Sequence, residues 1–278
     1  MTITELLNDA KEQLLVSSST PHLDAEFLLM RVLAVGRSYL YTHPEKKLTS
    51  QQLDFWYSML QQRLSGRPMA YILGQQEFWS LNLKVTSDVL IPRSETELLV
   101  EIALQKLPRN EILNVADLGT GSGAIALALA HERPHWRVFA TDLSAEALIL
   151  AKENAANLKI ENIDFFCGDW CCALPEMKYD AIVANPPYIA ISDQNVAASV
   201  RQFEPHAALF SKEDGLEAIR LIAGQARSIL RVGGWLFLEH GFLQGTAVVE
   251  ILQGFGYRDV CDHLDLAGHG RVVKGMLL

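Results

Sequence analysis

The sequence predicts an α/β protein: a doubly wound, mostly parallel seven-stranded sheet preceded by a small helical domain. Three observations carry this. From Ile112 onward, short apolar or β-branched runs alternate with helical stretches of about 10–15 residues, the pattern of a parallel sheet with right-handed crossovers. Ahead of that region, residues 1–75 show helical periodicity only. At the far end, YRDVCD and GRVVKGMLL follow one another with no helix between them, which reads as an antiparallel hairpin closing the sheet.

Taken in order, the first clear element is TSQQLDFWYSMLQQRLSGRP. Thr49 and Gln52 form a capping-box pattern. Leu53, Trp56, Leu60 and Leu64 then fall on one helical face, and Gly66 and Pro68 supply the stop. Ile3 to Val16 and Asp24 to Val35 have the same periodicity, punctuated by Pro21 and Gly36. Residues 1–75 are thus expected to form a helical bundle without catalytic groups, a domain for docking or packing. Residues 76–90 alternate around Leu81, Leu83 and Val85 between turn formers, as in a β-hairpin linker. Ile91-Pro92-Arg93 opens the sheet domain, 91–278, and leads into a helix from Thr96 to Leu107 that Pro108 ends. The strands that follow are ILNVADL, WRVFATD, NIDFFCG, YDAIVAN and GGWLFLEHG before the final pair. The helices are GAIALALAHE, AEALILAKENA and LEAIRLIAGQARSIL.

Composition removes several classes of function. The chain has 278 residues and a hydrophobic fraction of 49%, enough for two packed cores and too much for a disordered chain. No apolar run approaches the roughly 20 residues that cross a bilayer, and the N-terminus lacks the basic and apolar regions of a signal peptide. Cys167, Cys171, Cys172 and Cys261 make neither a disulfide framework nor paired zinc spacing, so packing is expected and no metal. A cytoplasmic, monomeric enzyme without membrane contact is the expectation. Residues 1–75 carry seven basic and seven acidic side chains; the rest of the chain holds the entire net charge of −9. Such a balance favours a protein or small-molecule substrate over direct contact with nucleic acid.

Two segments carry chemistry. Asp117-Leu118-Gly119-Thr120-Gly121-Ser122-Gly123 ends the first sheet strand and opens a helix. Its G-x-G-x-G spacing differs from the dinucleotide fingerprint, and the acid two residues before the first glycine suits a cationic amino group better than a pyrophosphate. Asp142 ends the next strand, where a carboxylate can accept from ribose hydroxyls. Together they read as a nucleoside site. Asn185-Pro186-Pro187-Tyr188 ends the fourth strand. Its prolines remove N–H donors, leaving the Asn185 and Pro186 carbonyls, the Asn185 side chain and an aromatic plate, a set complementary to a planar –NH₂ group.

The glycine loop and its two acids make the chain similar to class I S-adenosylmethionine-dependent methyltransferases. That resemblance implies Asp117 facing the methionine amino group, residues 119–123 facing methionine and ribose, and Asp142 facing the ribose diol. Asp169 and Trp170, after the third strand, would meet the adenine amine and ring. The NPPY tetrapeptide resembles that of amino-methyltransferases, whose acceptors include adenine, cytosine and the glutamine amide. Glu77-Phe78-Trp79-Ser80, the IPRSETE run at 91–97, Arg201-x-Phe203-Glu204-Pro205 and Glu239-His240-Gly241 resemble the release-factor glutamine methyltransferases (PrmC/HemK type). This family resemblance spans essentially the whole chain. It implies S-adenosylmethionine as donor, peptide-chain release factors as partners, and the glutamine of their Gly-Gly-Gln loop as target. It also implies Asn185, Pro186 and Tyr188 as catalytic residues, with Pro187 completing the acceptor site. Methylation of another glutamine protein, such as a ribosomal protein, or of a nucleic-acid amine is the alternative. Glu239 and His240 are expected to be structural or rim residues, and His263 and His269 to lie in a loop.

Overall fold

A computed structural model of the protein describes residues 1–212 and 214–278. It divides into two compact units, Met1–Gln75 with Ala197–Phe203, and Gln76–Val196 with Glu204–Leu278.

The first unit is built from α1 (Ile3–Leu14), α2 (Pro21–Leu33), α3 (Arg37–Thr42), α4 (Ser50–Leu64) and α5 (Met69–Leu73). Leu6, Leu28, Leu29, Trp56 and Leu60 close its core. The Thr49 capping box forms as read: Gln52 donates its N–H to Thr49 Oγ1 at 3.3 Å and Gln52 Oε1 accepts from the Thr49 N–H at 3.0 Å. α2 begins three residues earlier than its apolar pattern, because Pro21 at its first turn has the backbone angle a helix needs. Asp24 is thereby buried, and Arg63 and the Ser18 hydroxyl donate to it, each at 2.7 Å. α3 and α5 are too short for periodicity to reveal. Ala197–Phe203, far along the chain, belongs to this unit, which the sequence did not suggest.

The second unit opens with β1 (Gln75–Phe78) and β2 (Leu81–Lys84). Trp79 and Ser80 join them in the left-handed region, φ +52° and +58°, which is the geometry of a tight primed hairpin turn. Neither is glycine or asparagine. The Trp79 N–H donates to Glu97 at 2.8 Å and its indole to Glu132 at 2.9 Å, holding the turn. A short 3₁₀ turn, Ser94–Thr96, leads into α6 (Glu97–Lys106). The alternating region then supplies β3 (Asn114–Leu118), α7 (Ala124–Glu132), β4 (Arg137–Asp142), α8 (Ala145–Leu158), β5 (Ile163–Cys167) and β6 (Tyr179–Ala184). After β6 come the two-residue β7 (Ile189–Ala190), α9 (Ala198–Phe203), which belongs to the first unit, then α10 (His206–Leu209), β8 (Phe210–Ser211) and α11 (Glu217–Ile229). The chain ends with β9 (Leu230–Glu239), α12 (Gly245–Gly254), β10 (Arg258–Leu264) and β11 (Gly270–Met276).

Seven strands form one sheet in the order β10-β11-β9-β6-β3-β4-β5, parallel from β9 to β5 and antiparallel at β11 and β10. Alternate residues serve opposite faces. Val115, Val138, Ala181, Val183 and Phe237 pack with α6 and α7, whereas Ala116, Phe139, Ile182, Leu236 and Leu238 pack with α11 and α12. A strand covered on both faces has no polar side, which is why YDAIVA reads as one apolar run. Strand order reverses between β3 and β6, and ligand crevices of open α/β sheets lie at the carboxyl ends of strands at that point.

Three details differ from the sequence reading. β9 starts at Leu230, ahead of the glycine pair: an irregular pairing with β6 absorbs residues 231–234, with Gly233 at φ +79°. α12 begins and ends in glycine, which hid it between two strands. His263 lies within β10, opposite Val272, rather than in a loop.

Asn154 ties the hairpin to the sheet. Its Oδ1 accepts from the Lys84 N–H at 2.8 Å, and its Nδ2 donates to the carbonyls of Lys84 at 3.0 Å and Ser122 at 2.9 Å. Asn154→Ala removes all three bonds at a side chain 1% exposed. We predict a loss of about 2–4 kcal/mol in urea unfolding. Unchanged stability would show that β2 is held by its apolar face alone.

Candidate active site

β3 carries the first half of the site. Its side chains Asp117 and Leu118 are fully buried, and the chain then turns through Gly119, Gly121 and Gly123 at φ +72°, +55° and +87°. A side chain at Gly123 would stand 2.9 Å from Leu127 and 3.3 Å from Ala151, so glycine lets α7 start close against α8. The loop is held from both sides. The Gly119 and Thr120 N–H groups donate to the Thr141 carbonyl, each at 2.9 Å, and the Gly121 N–H donates to Asp142 Oδ2 at 2.8 Å. Asp142 Oδ1 accepts from the Ser144 N–H at 2.9 Å. Asp117 Oδ2 accepts from the Thr120 hydroxyl at 2.7 Å and the Ala126 N–H at 3.2 Å. Its Oδ1 has no hydrogen-bond partner among the described residues. Burial pushes the Asp117 carboxyl up to about 7, against the lowering by Thr120 and Ala126.

β6 carries the second half. Leu118 of β3 is paired with Ala184 of β6, so Gly119 and Asn185 leave the sheet side by side. Asn185 Nδ2 donates to Thr96 Oγ1 at 3.2 Å, and Thr96 is buried. The Tyr188 hydroxyl donates to Glu239 Oε1 at 3.3 Å, and burial of the ring pushes that hydroxyl's pKa up. Gln244 Nε2 donates to the Tyr188 carbonyl at 3.0 Å and to the Asp214 carbonyl at 3.2 Å, while its Oε1 accepts from the Gly241 N–H at 2.8 Å. The IPR segment is fixed by Glu204, whose side chain is 1% exposed: it accepts from the Ile91 N–H at 3.3 Å and from Arg93 at 2.5 Å.

Between the halves lies a cleft of about 570 Å³. Gly119, Thr120, Gly121, Ser122, Asp142, Asp169, Trp170, Asn185 and Pro187 line it, with Pro92, Arg93 and Thr96. The Trp170 ring packs on Gly119, where an added Cβ would sit 3.1 Å away. Asp117, Gly123, Pro186 and Tyr188 are not on its wall. Thr96 and Gln244 escaped the sequence reading. Thr96 lies inside the IPRSETE run and Gln244 stands three residues after Gly241, but an ordinary threonine and glutamine announce nothing by type. His240 is buried between the Gly241 carbonyl at 2.9 Å and Asp262 at 3.0 Å, a structural position. Among the described residues no group of His, Cys, Asp and Glu could hold a metal ion.

The fold and the sequence are similar to those of known proteins. A methyltransferase from Pyrococcus furiosus has a similar fold, with a TM-score of 0.53 at 17% identity over 70% of this chain and 88% of that one. Residues 94–219 match the family model described as methyltransferase small domain, which defines the class. Residues 5–74 match the PrmC N-terminal domain. The chain is 50% identical over 273 residues to the release factor glutamine methyltransferase of Coxiella burnetii, covering 98% of each, and 49% identical over 279 residues to that of Vibrio cholerae, covering 99% and 96%. It belongs to the release factor glutamine methyltransferase family.

The loop after β6 depends on a close approach at Gly215, where a Cβ would stand 2.3 Å from the Tyr188 carbonyl oxygen. Gly233 has a similar φ, +79° against +83°, with no atom within 4 Å. Both alanine variants incur backbone strain of about 1 kcal/mol or more, and Gly215→Ala adds an overpacking cost of about 1–3 kcal/mol. Urea unfolding of the pair measures the difference. Equal losses would mean that the Tyr188 carbonyl moves aside freely.

Proposed function

We propose that this protein transfers the methyl group of S-adenosylmethionine to the side-chain amide nitrogen of the glutamine in the Gly-Gly-Gln loop of peptide-chain release factors. The observation that carries this reading is the commitment of Asn185 Nδ2 to Thr96, which leaves Oδ1 as the atom Asn185 offers to the cleft it lines. An acceptor placed there suits an –NH₂ group, and the glycine loop leaves the neighbouring strand. A cytoplasmic site of action fits a substrate of the translation machinery, and no helix among the described residues is long and apolar enough to cross a membrane.

The residues present fit the donor. The unpartnered Asp117 Oδ1 is a place for the compensating charge of an amino group, and Asp142 keeps lone pairs for a ribose diol at the cleft wall. Trp170 offers a flat apolar face for a base, with Asp169 beside it. When bound, the sulfonium supplies an electrophilic methyl. The chain's own contribution is to the acceptor. An amide nitrogen shares its lone pair with its carbonyl and is a poor nucleophile. Accepting both of its hydrogens, at Asn185 Oδ1 and the Pro186 carbonyl, favours the localised lone pair and the positive charge that grows on nitrogen. Tyr188 clamps the amide face. Once methylated, the cationic nitrogen is strongly acidic and sheds its proton without a dedicated base. The helical unit, neutral in charge and without catalytic groups, serves to dock the protein substrate.

Asn185→Ala is expected to lower the rate of transfer roughly 10²–10³-fold, the usual effect of removing one preorganised group, with donor affinity nearly unchanged. Asp142→Ala should weaken the donor ten-fold or more, as loss of charge-assisted bonds of about 1.5–3 kcal/mol predicts. Labelled-donor transfer and calorimetry separate the two. Release factor whose Gly-Gly-Gln glutamine is replaced should accept no label. Labelling of that variant at the normal rate, or of RNA or DNA instead, would overturn the assignment.

A further inference from the structure

Three stretches of chain meet at the side chain of Gln244, which stands at the start of α12. Its Oε1 accepts from the Gly241 N–H at 2.8 Å, and its Nε2 donates to the Tyr188 carbonyl at 3.0 Å and to the Asp214 carbonyl at 3.2 Å. All three partners are backbone groups of fixed polarity: an N–H only donates and a carbonyl only accepts. The carboxamide is therefore held in one orientation. Of the side chains of the same length, ionised glutamate lacks the donors and methionine lacks both donors and a strong acceptor.

The support beneath Gln244 is rigid. β9 ends in Glu239, and the ring of the next residue, His240, is buried between the Gly241 carbonyl and Asp262 of β10. Gly245 packs on the same Asp262 with no room for a Cβ. The Gln244 N–H also donates to the Gly241 carbonyl, at 2.8 Å, so Glu239-His240-Gly241 and Gln244 form one bracket on the end of the sheet. The turn that the bracket reaches is the opposite case. Pro186 and Pro187 have no N–H to donate, so Asn185–Tyr188 relies on side chains from elsewhere. Thr96 accepts from Asn185 at its first residue; Gln244 holds the carbonyl of its last, and Glu239 accepts from that residue's hydroxyl over the longer distance of 3.3 Å.

We propose that Gln244 is a positioning residue for methyl transfer: by fixing the Tyr188 carbonyl to the end of β9, it sets the direction in which the turn presents Asn185 Oδ1 and the Pro186 carbonyl. Successive prolines lock φ near about −65°, so the turn moves as a stiff unit and a displacement at Tyr188 is carried to Asn185. Asn185 and Pro187 line the cleft and Gln244 does not, so Gln244 acts through the turn and not on the substrate. In-line attack tolerates little misplacement, and an error of about 1 Å can cost roughly 100-fold in rate. This inference rests on the reading of Asn185–Tyr188 as the site of the acceptor amide.

The test is labelled transfer to intact release factor at about pH 8, where a glutamate side chain is ionised. Donor affinity is followed by calorimetry and stability by urea unfolding. Gln244→Met removes all three bonds, and Gln244→Glu keeps the acceptor for Gly241 while removing the donors to Tyr188 and Asp214. Each should lower kcat roughly ten-fold or more and leave KM for the factor and donor affinity within about two-fold. In an Asn185→Ala background, Gln244→Met should cost no more than about three-fold in kcat, because the group it chiefly positions is gone, while its effect on stability should be the same in both backgrounds. A role confined to folding would lower kcat by the same factor with and without Asn185. Should Gln244→Met fail to fold, Gln244→Glu is carried through the same cycle. Wild-type kcat in either folded variant, or equal fold losses in the two backgrounds, overturns the proposal. Wild-type enzyme assayed on the factor with and without its target glutamine keeps the two failures apart. Equal labelling of both factors overturns the substrate reading, and this inference with it. Selective labelling by an enzyme indifferent to Gln244 overturns this inference alone.

Discussion

The parallel pairing of β3 with β6 is the constraint on which the rest of the site depends. Parallel neighbours leave a sheet at the same edge, and the register of Leu118 with Ala184 brings the glycine loop and the Asn185–Tyr188 loop out together. The connections of β3 and β6 run to opposite sides of the sheet, because β4 and β5 extend it one way and β9 the other. A crevice opens between them, and the cleft of about 570 Å³ occupies it. A one-residue slip in that register would exchange the faces of β6, mismatch the packing of both cores, and carry Asn185 away from Thr96. The register that closes the core is therefore the register that builds the site.

Buried carboxylates hold the loops that leave this edge. Asp117 ties the glycine loop to the first turn of α7, Glu204 ties Ile91 to Arg93, and Glu239 receives the Tyr188 hydroxyl. Each is almost wholly out of solvent, a costly position for a charge unless donors surround it. Backbone N–H groups offset much of that cost at Asp117 and Glu204. Both Asp117 and Glu239 keep an oxygen without a hydrogen-bond partner, and both are pushed up toward neutrality. Asp117 lies beneath the glycine loop and Glu239 beside Tyr188, so burial acts on one acid at each of the two loops.

Most of the architecture was legible because hydrophobic periodicity depends on neighbours a few residues apart. The switch from helical period in residues 1–75 to alternating strands and helices, the capping box at Thr49 and the final hairpin are local statements, and each holds in the structure. The departures also have local causes. Pro21 starts α2 early, terminal glycines disguised α12, and His263 stands in a strand. Trp79 and Ser80 adopt a turn that composition would assign to Asn-Gly, because Glu97 and Glu132 hold it from outside the hairpin.

The sequence by itself determined the fold class, the glycine loop with its two acids and the NPPY turn, since each is a contiguous run whose residue types restrict the backbone or the chemistry. Tertiary structure alone decided which residues support them. Thr96 meets Asn185 across 89 positions, Tyr188 meets Glu239 across 51 and Gln244 across 56. A threonine, a glutamate and a glutamine have no distinctive spacing to read. They matter here because a buried hydrogen bond needs a partner of the right polarity at the right distance, and only the folded sheet brings those partners together.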